Sequence, residues 1–215
     1  MAFHFHKNRD LYIRQQRANA AEFLIPFIEK SLPIVEGMHV MEIGCGEGGV
    51  LKAFLDRGCQ GVGIELLKGK AELARDTLKA EIASGQAIVM NKNIYDIDVA
   101  TDVSRPFDLI ILKDVIEHIH DQDAILNRLR DFLRPGGHIF FGFPPWQMPF
   151  GGHQQVLAHR FLSRTPYFHL LPVPLYRGIL KAFGETPASI ENTLEIKETG
   201  ISIERFERLV RKNHF

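Results

Sequence analysis

Apolar residues recur at Ala21, Leu24, Ile25, Phe27 and Ile28 between Ala18 and Leu32. That spacing lines one face of a helix, and Pro33 ends it because proline cannot continue the hydrogen-bond ladder. Beyond it the pattern changes to short apolar runs alternating with amphipathic stretches. Runs at 40–43, 61–64, 87–90, 107–112 and 138–143 read as strands, and 49–56, 70–83 and 122–133 as the helices between them. A further helix is expected over 202–212. Strands alternating with helices form a parallel sheet covered on both faces, so the predicted class is α/β, Rossmann-like and doubly wound, with a mostly parallel sheet. Ligands of such sheets lie beyond the carboxyl ends of the strands, where strand order switches.

Residues 42–49, Glu-Ile-Gly-Cys-Gly-Glu-Gly-Gly, follow the first strand directly. Gly44, Gly46 and Gly48 allow a turn with positive φ and leave no Cβ between ligand and backbone. The N–H groups of the helix that follows are placed to face a polar group held by the loop. Gly44, Gly46 and Gly49 also fit the dinucleotide spacing, so the loop alone leaves two nucleotide-type ligands open. The second strand ends at Glu65, about twenty residues on, where a carboxylate can accept both hydroxyls of a ribose. After the third strand, Lys92-Asn93-Ile94-Tyr95-Asp96 supplies either Asn93 or Asp96 to accept from an adenine amino group.

Together these segments, with Phe107-Asp108-Leu-Ile-Ile, Asp114-Val-Ile-Glu117-His118 and Leu133-Arg-Pro-Gly-Gly137, resemble the class I S-adenosylmethionine-dependent methyltransferases, in particular their small-molecule, ubiquinone-biosynthesis-like branch. The resemblance runs from about Val40 to Phe143. It implies S-adenosyl-L-methionine as cofactor, S-adenosyl-L-homocysteine as product, and a small-molecule acceptor methylated at oxygen. It also implies that Glu42, Gly44, Cys45 and Gly46 hold the methionine moiety and that Glu65 binds ribose. Leu66, Asn93 and Ile94 then flank the adenosine, while Lys113 and Asp114 approach the methionine end. Asn93 stands where the family usually shows aspartate, which keeps Asp96 as the substitute. The family's sheet normally has two further strands, so a shortened chain with strand five as an unpaired edge is expected. Phe143-Pro144-Pro145-Trp146 resembles a motif of amino-group methyltransferases, but it follows the fifth strand rather than the fourth and does not indicate nitrogen methylation.

At 215 residues, 45% hydrophobic and 24% charged, the chain suits one good core. A single domain 1–215 is expected: a helical cap (1–35), a cofactor core (36–144), a substrate lid (145–200) and a C-terminal helix (201–215). Lys plus Arg equals Asp plus Glu at 26 each, which leaves no positive field for nucleic acid. The first residues lack a signal-peptide pattern and no apolar run is long enough for a transmembrane segment, so a cytoplasmic location is expected. Cys45 and Cys59 make no disulfide or metal framework and are expected to be buried small residues.

The stretch from Pro144 to about Glu198 is rich in aromatics and proline. Its aromatic content argues for order, and its position for a lid over the methyl group. Apolar residues 170–183 are candidates for a peripheral membrane or dimer contact. For a hydroxyl acceptor, a histidine is the natural base. His153, after Gly151-Gly152, is the first candidate and His118 the second. His118, His120 and Asp121 lie close along the chain, but no third ligand spacing supports a metal and none is assigned. Glu117 is assigned no chemistry. The rival functions are a nicotinamide-dinucleotide oxidoreductase, which the loop and Glu65 also suit, and a non-catalytic adenosine-binding interaction module.

Overall fold

The computed structural model describes residues 8–215, which divide into two compact units. The first comprises Asn8–Lys113 and 127–142, and the second 114–126 and Phe143–Phe215.

The first unit is built on a five-stranded, all-parallel sheet flanked by helices, with strand order β3-β2-β1-β4-β5. Its strands are β1 (His39–Ile43), β2 (Gln60–Ile64), β3 (Ala87–Met90), β4 (Phe107–Lys113) and β5 (Leu133–Gly142). Every residue of β1 is buried, as a central strand with both faces covered requires. Helix α3 (Gly49–Leu55) follows the glycine loop and packs on β2 so closely that a Cβ on Gly61 would lie 2.9 Å from Leu55. Leu51 and Phe54 of α3 are fully buried, each contributing about 1.5–3 kcal/mol through lost apolar surface.

Most boundaries shift by a few residues, and three elements differ in ways that have a physical reason. Helix α1 (Arg9–Asn19) begins well before Ala18, because the Asn8 side chain caps it by accepting from Leu11 N–H at 3.1 Å. None of its residues is fully buried; Tyr12, Ile13 and Gln16 are half-buried, and Gln16 approaches Gly49 of α3. The helix then widens to a π turn over Ala20–Leu24, where Ile25 N–H reaches the Ala20 carbonyl, before α2 (Ile25–Ile28). The wider turn accommodates Pro26, which has no N–H and would clash with the carbonyl four residues back in a regular α-helix.

The helical stretch after β2 is two helices, α4 (Lys68–Thr77) and α5 (Lys79–Ala83), separated at Leu78. After α6 (Val99–Asp102) and α7 (Gln122–Arg130), β5 starts at Leu133 rather than His138. Leu133 pairs with Phe107 across Arg-Pro-Gly-Gly before the register shifts and His138 pairs with Leu109. A proline and two glycines within a strand give the sequence appearance of a loop. In the sheet as described, β5 is an edge.

The second unit holds α8 (Val173–Ala182), α9 (Pro187–Thr199) and α10 (Ile203–Lys212), with short 3-10 turns before them. It has its own core of Leu157, Leu162, Phe168, Tyr176, Leu180, Ile190 and Leu194. Thr186 caps α9 by accepting from Ser189 N–H, and Pro187 fills the first turn, where its missing donor costs nothing. On α8, Tyr176 and Leu180 face that core while Val173 and Leu175 are exposed. Among the described residues no helix is long and apolar enough to cross a membrane.

Candidate functional site

The glycine loop leaves β1 at the carboxyl edge of the sheet, beside the switch in strand order between β2 and β4. Gly44, Gly46 and Gly48 take φ of 69°, 55° and 82°, so all three occupy the left-handed region that the sequence requires of them. The loop's N–H groups are largely engaged. Gly44 and Cys45 donate to the Ile64 carbonyl at 2.8 and 3.1 Å, Gly48 donates to Cys45, and Gly46 donates to Glu65 Oε2 at 2.9 Å. A dinucleotide loop needs such donors open for its diphosphate.

Two carboxylates lie at this end of the sheet, Glu42 on β1 and Glu65 just after β2, both buried. Glu65 accepts from Gly46 through one oxygen and from Leu67 N–H through the other, at 2.8 Å. Each oxygen retains a second lone pair, so the carboxylate can still accept from a ligand hydroxyl. Glu42 Oε2 is buried without a hydrogen-bond partner among the described residues. Burial pushes its carboxyl up to about 8, against the pull of the Leu51 N–H and of Lys113, and with a further push from Glu65. A buried acid with an unsatisfied oxygen is built for a cationic donor. Cys45 is buried by its side chain, with Sγ 2.8 Å from where a Cβ on Gly63 would sit, and burial drives its thiol strongly upward. It contributes backbone and packing rather than a thiolate.

Side chains hold the neighbouring loops from behind. Asn91 Nδ2 donates to the Glu65 and Leu66 carbonyls, both at 2.9 Å. Leu66 is exposed beside them and Ile94 is buried. Asn93 is spent partly on its own turn, its Oδ1 accepting from Tyr95 N–H at 3.1 Å. Arg128 donates to the carbonyls of Ile94 and Ile97, pairs with Asp131 and lies over the Phe132 ring. Sequence spacing pointed to neither Asn91 nor Arg128, since the long-range contact that defines each exists only in the fold.

Of the residues proposed from sequence, Glu42, Gly44, Cys45, Gly46, Glu65, Leu66, Asn93, Ile94 and Lys113 belong to the first unit, and Asp114, His118 and His153 to the second. In the second unit His153 and His118 lie together, ring centroids 5.4 Å apart. Glu117 joins them: its Oε1 is 3.8 Å from His153 Nε2 and 4.0 Å from His118 Nε2. Burial lowers the His153 pKa below the ordinary histidine value, His118 adds to that, and Asp114 opposes it. His153 is therefore neutral at neutral pH and able to accept a proton.

Gly151 and Gly152 are closely packed. A Cβ on Gly151 would lie 2.4 Å from the Trp146 carbonyl oxygen, and one on Gly152 2.4 Å from His169 Cβ. His169 sits at the centre of this packing, with Nε2 2.8 Å from the Trp146 carbonyl and Nδ1 3.0 Å from Gln154 Nε2. Those partners require Nε2 to carry the proton and Nδ1 to accept.

The profile of the methyltransferase-domain family matches residues 12–168, spanning both the glycine loop and the histidine cluster. The chain belongs to the methyltransferase-domain family. Among curated relatives, ubiquinone biosynthesis O-methyltransferase of Coxiella burnetii is 26% identical over 117 residues, 54% of this chain and 47% of the relative. The same-named protein of Idiomarina loihiensis is 33% identical over 116 residues, 54% of this chain and 46% of the relative. The chain thus spans about half the length of the curated family members it matches. Of solved structures, the plantazolicin methyltransferase BamL superposes with a TM-score of 0.59 over 97% of this chain and 64% of that one, at 14% identity. Phosphoethanolamine N-methyltransferase 2 of Haemonchus contortus does so at 0.59 over 95% and 40%, at 16% identity. These two share the methyltransferase fold.

Proposed function

We propose that the protein transfers the methyl group of S-adenosylmethionine to an oxygen of a small-molecule acceptor. The observation that carries this is the charge and donor inventory of the glycine loop: two buried carboxylates, one with an unsatisfied oxygen, beside N–H groups already donated within the protein. A diphosphate would meet two carboxyl groups and few open donors there, and its charge would hold the proton on Glu42. An α-ammonium group instead meets an acid that can ionise to pair with it. The relatives named as methyltransferases, and the solved family members described as complexes with S-adenosylhomocysteine or S-adenosylmethionine, support the same ligand.

When bound, the cofactor supplies a methyl group on a good leaving group. The protein's part is to align the reactants and exclude water. In this reading Glu42 receives the α-ammonium and Glu65 the ribose hydroxyls. Leu66 and Ile94 flank the adenine, and Asn93, or Asp96 in its place, accepts from its amino group. Lys113 and Asp114 border the methionine end. His153, neutral at neutral pH, takes the proton of the acceptor hydroxyl, with His118 as the second candidate base. The choice of oxygen draws on the ubiquinone O-methyltransferase relatives. Residues 145–200 serve as the acceptor lid, and the location is cytoplasmic.

Calorimetry tests the reading. S-adenosylhomocysteine should bind and NADH should not, and the reverse result ends the proposal. Glu65→Ala should weaken that binding by about 1–3 kcal/mol, the cost of stranding hydrogen-bond partners. Unchanged affinity removes Glu65 from the site.

A further inference from the structure

We propose that Glu117, His118 and His153 form a binding site for one divalent transition-metal ion of the zinc and manganese class. Each residue offers one ligand atom, and all three atoms lie within 4.8 Å of one another. The measured separations, 3.8 Å from Glu117 Oε1 to His153 Nε2 and 4.0 Å to His118 Nε2, exceed a hydrogen bond. They leave room for an ion between them: tetrahedral bonds of about 2.0–2.1 Å set ligand atoms about 3.3 Å apart, so binding would draw the three side chains together by about half an ångström or more. Two imidazoles and one carboxylate are a donor set suited to zinc, manganese, iron or cobalt rather than to magnesium or calcium, which prefer oxygen alone.

The surroundings fit a site open on one side. The Glu117 side chain is 2% exposed, His153 22% and His118 47%, so an ion there would keep positions facing solvent or substrate. Both backbone segments that carry the ligands are fixed. Thr199 Oγ1 donates to the Glu117 carbonyl at 2.5 Å, and Gln122 Nε2 donates to the carbonyls of Ile116 and Thr199 at 3.1 and 2.6 Å. His153 is held at φ 54°, a left-handed conformation that a non-glycine residue keeps only where its surroundings impose it. Its N–H donates to the Phe150 carbonyl at 3.1 Å and its carbonyl accepts from Val156 N–H at 3.0 Å.

Binding of the ion stands without the proposed methyl transfer. Its use rests on that reading: an acceptor hydroxyl coordinated at an open position would lose its proton to solvent more readily, with the imidazoles acting as ligands instead of bases.

The experiment is titration of chelator-treated full-length protein with Co2+, followed by visible absorption, with Zn2+ as competitor and metal content read by atomic emission. One Co2+ per chain, with visible bands abolished by Zn2+, is expected. Glu117→Gln, His118→Ala and His153→Ala should each weaken uptake by about tenfold or more, whereas His120→Ala should not. His118 is half exposed, so its variant should keep the wild-type far-ultraviolet dichroism even if Glu117→Gln unfolds. Failure of the wild type to take up either ion, or equal uptake by folded His118→Ala, overturns the site. S-adenosylhomocysteine affinity, measured on the same samples, should be unchanged. Metal uptake without any such affinity would leave the ion site standing and remove the transferase reading instead.

Discussion

Gly44, Gly46 and Gly48 all have φ between 55° and 82°, and a Cβ on Gly46 would meet nothing within 4 Å. Gly151 and Gly152 lie outside the positive-φ set, yet a Cβ on either would sit 2.4 Å from a neighbouring atom. At Gly46 glycine supplies a backbone conformation and open room. At Gly151 and Gly152 it supplies only the absence of a side chain, so that Trp146 and His169 can approach the chain. The two stretches look alike in sequence and answer to different physics: one to the φ/ψ map, the other to packing density.

The largest contrast should come from adding one methyl group to each. Gly151→Ala forces an overlap with backbone and should lower stability by about 3 kcal/mol, read as a drop in thermal midpoint. Gly46→Ala meets no atom and should cost only the left-handed strain, about 1–2 kcal/mol. Equal losses would erase the distinction.

A smaller effect sharpens the first unit's side of the contrast. With its carboxyl raised to about 8, Glu42 is mostly protonated at pH 7 in the free protein, and an α-ammonium ligand should draw that proton off. Binding of S-adenosylhomocysteine should therefore release protons at pH 7, seen as a dependence of the calorimetric heat on buffer ionisation. Glu42→Gln should abolish the release and weaken affinity by about 1–2 kcal/mol. An identical release from the variant would assign the proton elsewhere.

The smallest effect is on acid stability. Burial lowers the pKa of His39, His153 and His169, so each is neutral in the folded chain at pH values where the unfolded chain has begun to bind protons. Their contribution is fully present above the unfolded value of about 6.5 and is lost as pH falls from there through the folded values. His169→Gln should flatten part of that slope in denaturant titrations at pH 7.5 and pH 5. A slope that stays the same would mean the Trp146–His169–Gln154 contacts survive protonation.

The strands were legible because each is an apolar run bounded by turn residues. The run 87–90 is β3 itself, and 61–64 misses only Gln60 of β2. Glu65 was legible as an acid at a strand end, but its burial and its engagement by Gly46 and Leu67 were not, because hydrogen bonds across a loop leave no periodicity. Helix α1 escaped because none of its residues is fully buried and the face that meets α3 is only half-covered, leaving the cap at Asn8 as the signal. The strand start at Leu133 escaped because Pro135, Gly136 and Gly137 read as a turn. The grouping of Glu117, His118 and His153 depends on a long excursion of the chain between His118 and His153. Spacing along the sequence could offer only His120 and Asp121 as companions, and His120 is not in the group.

Arg128 ties the Ile94–Ile97 segment from behind through two carbonyls, much as Asn91 ties Glu65 and Leu66. In the proposed binding mode a nucleoside arriving at these loops would find them already tied, so little of its binding energy would be spent on restricting backbone motion. Cofactor affinity would then depend on residues that never touch the cofactor, and sequence drift at an internal arginine would loosen a ligand as effectively as a change in the cleft wall.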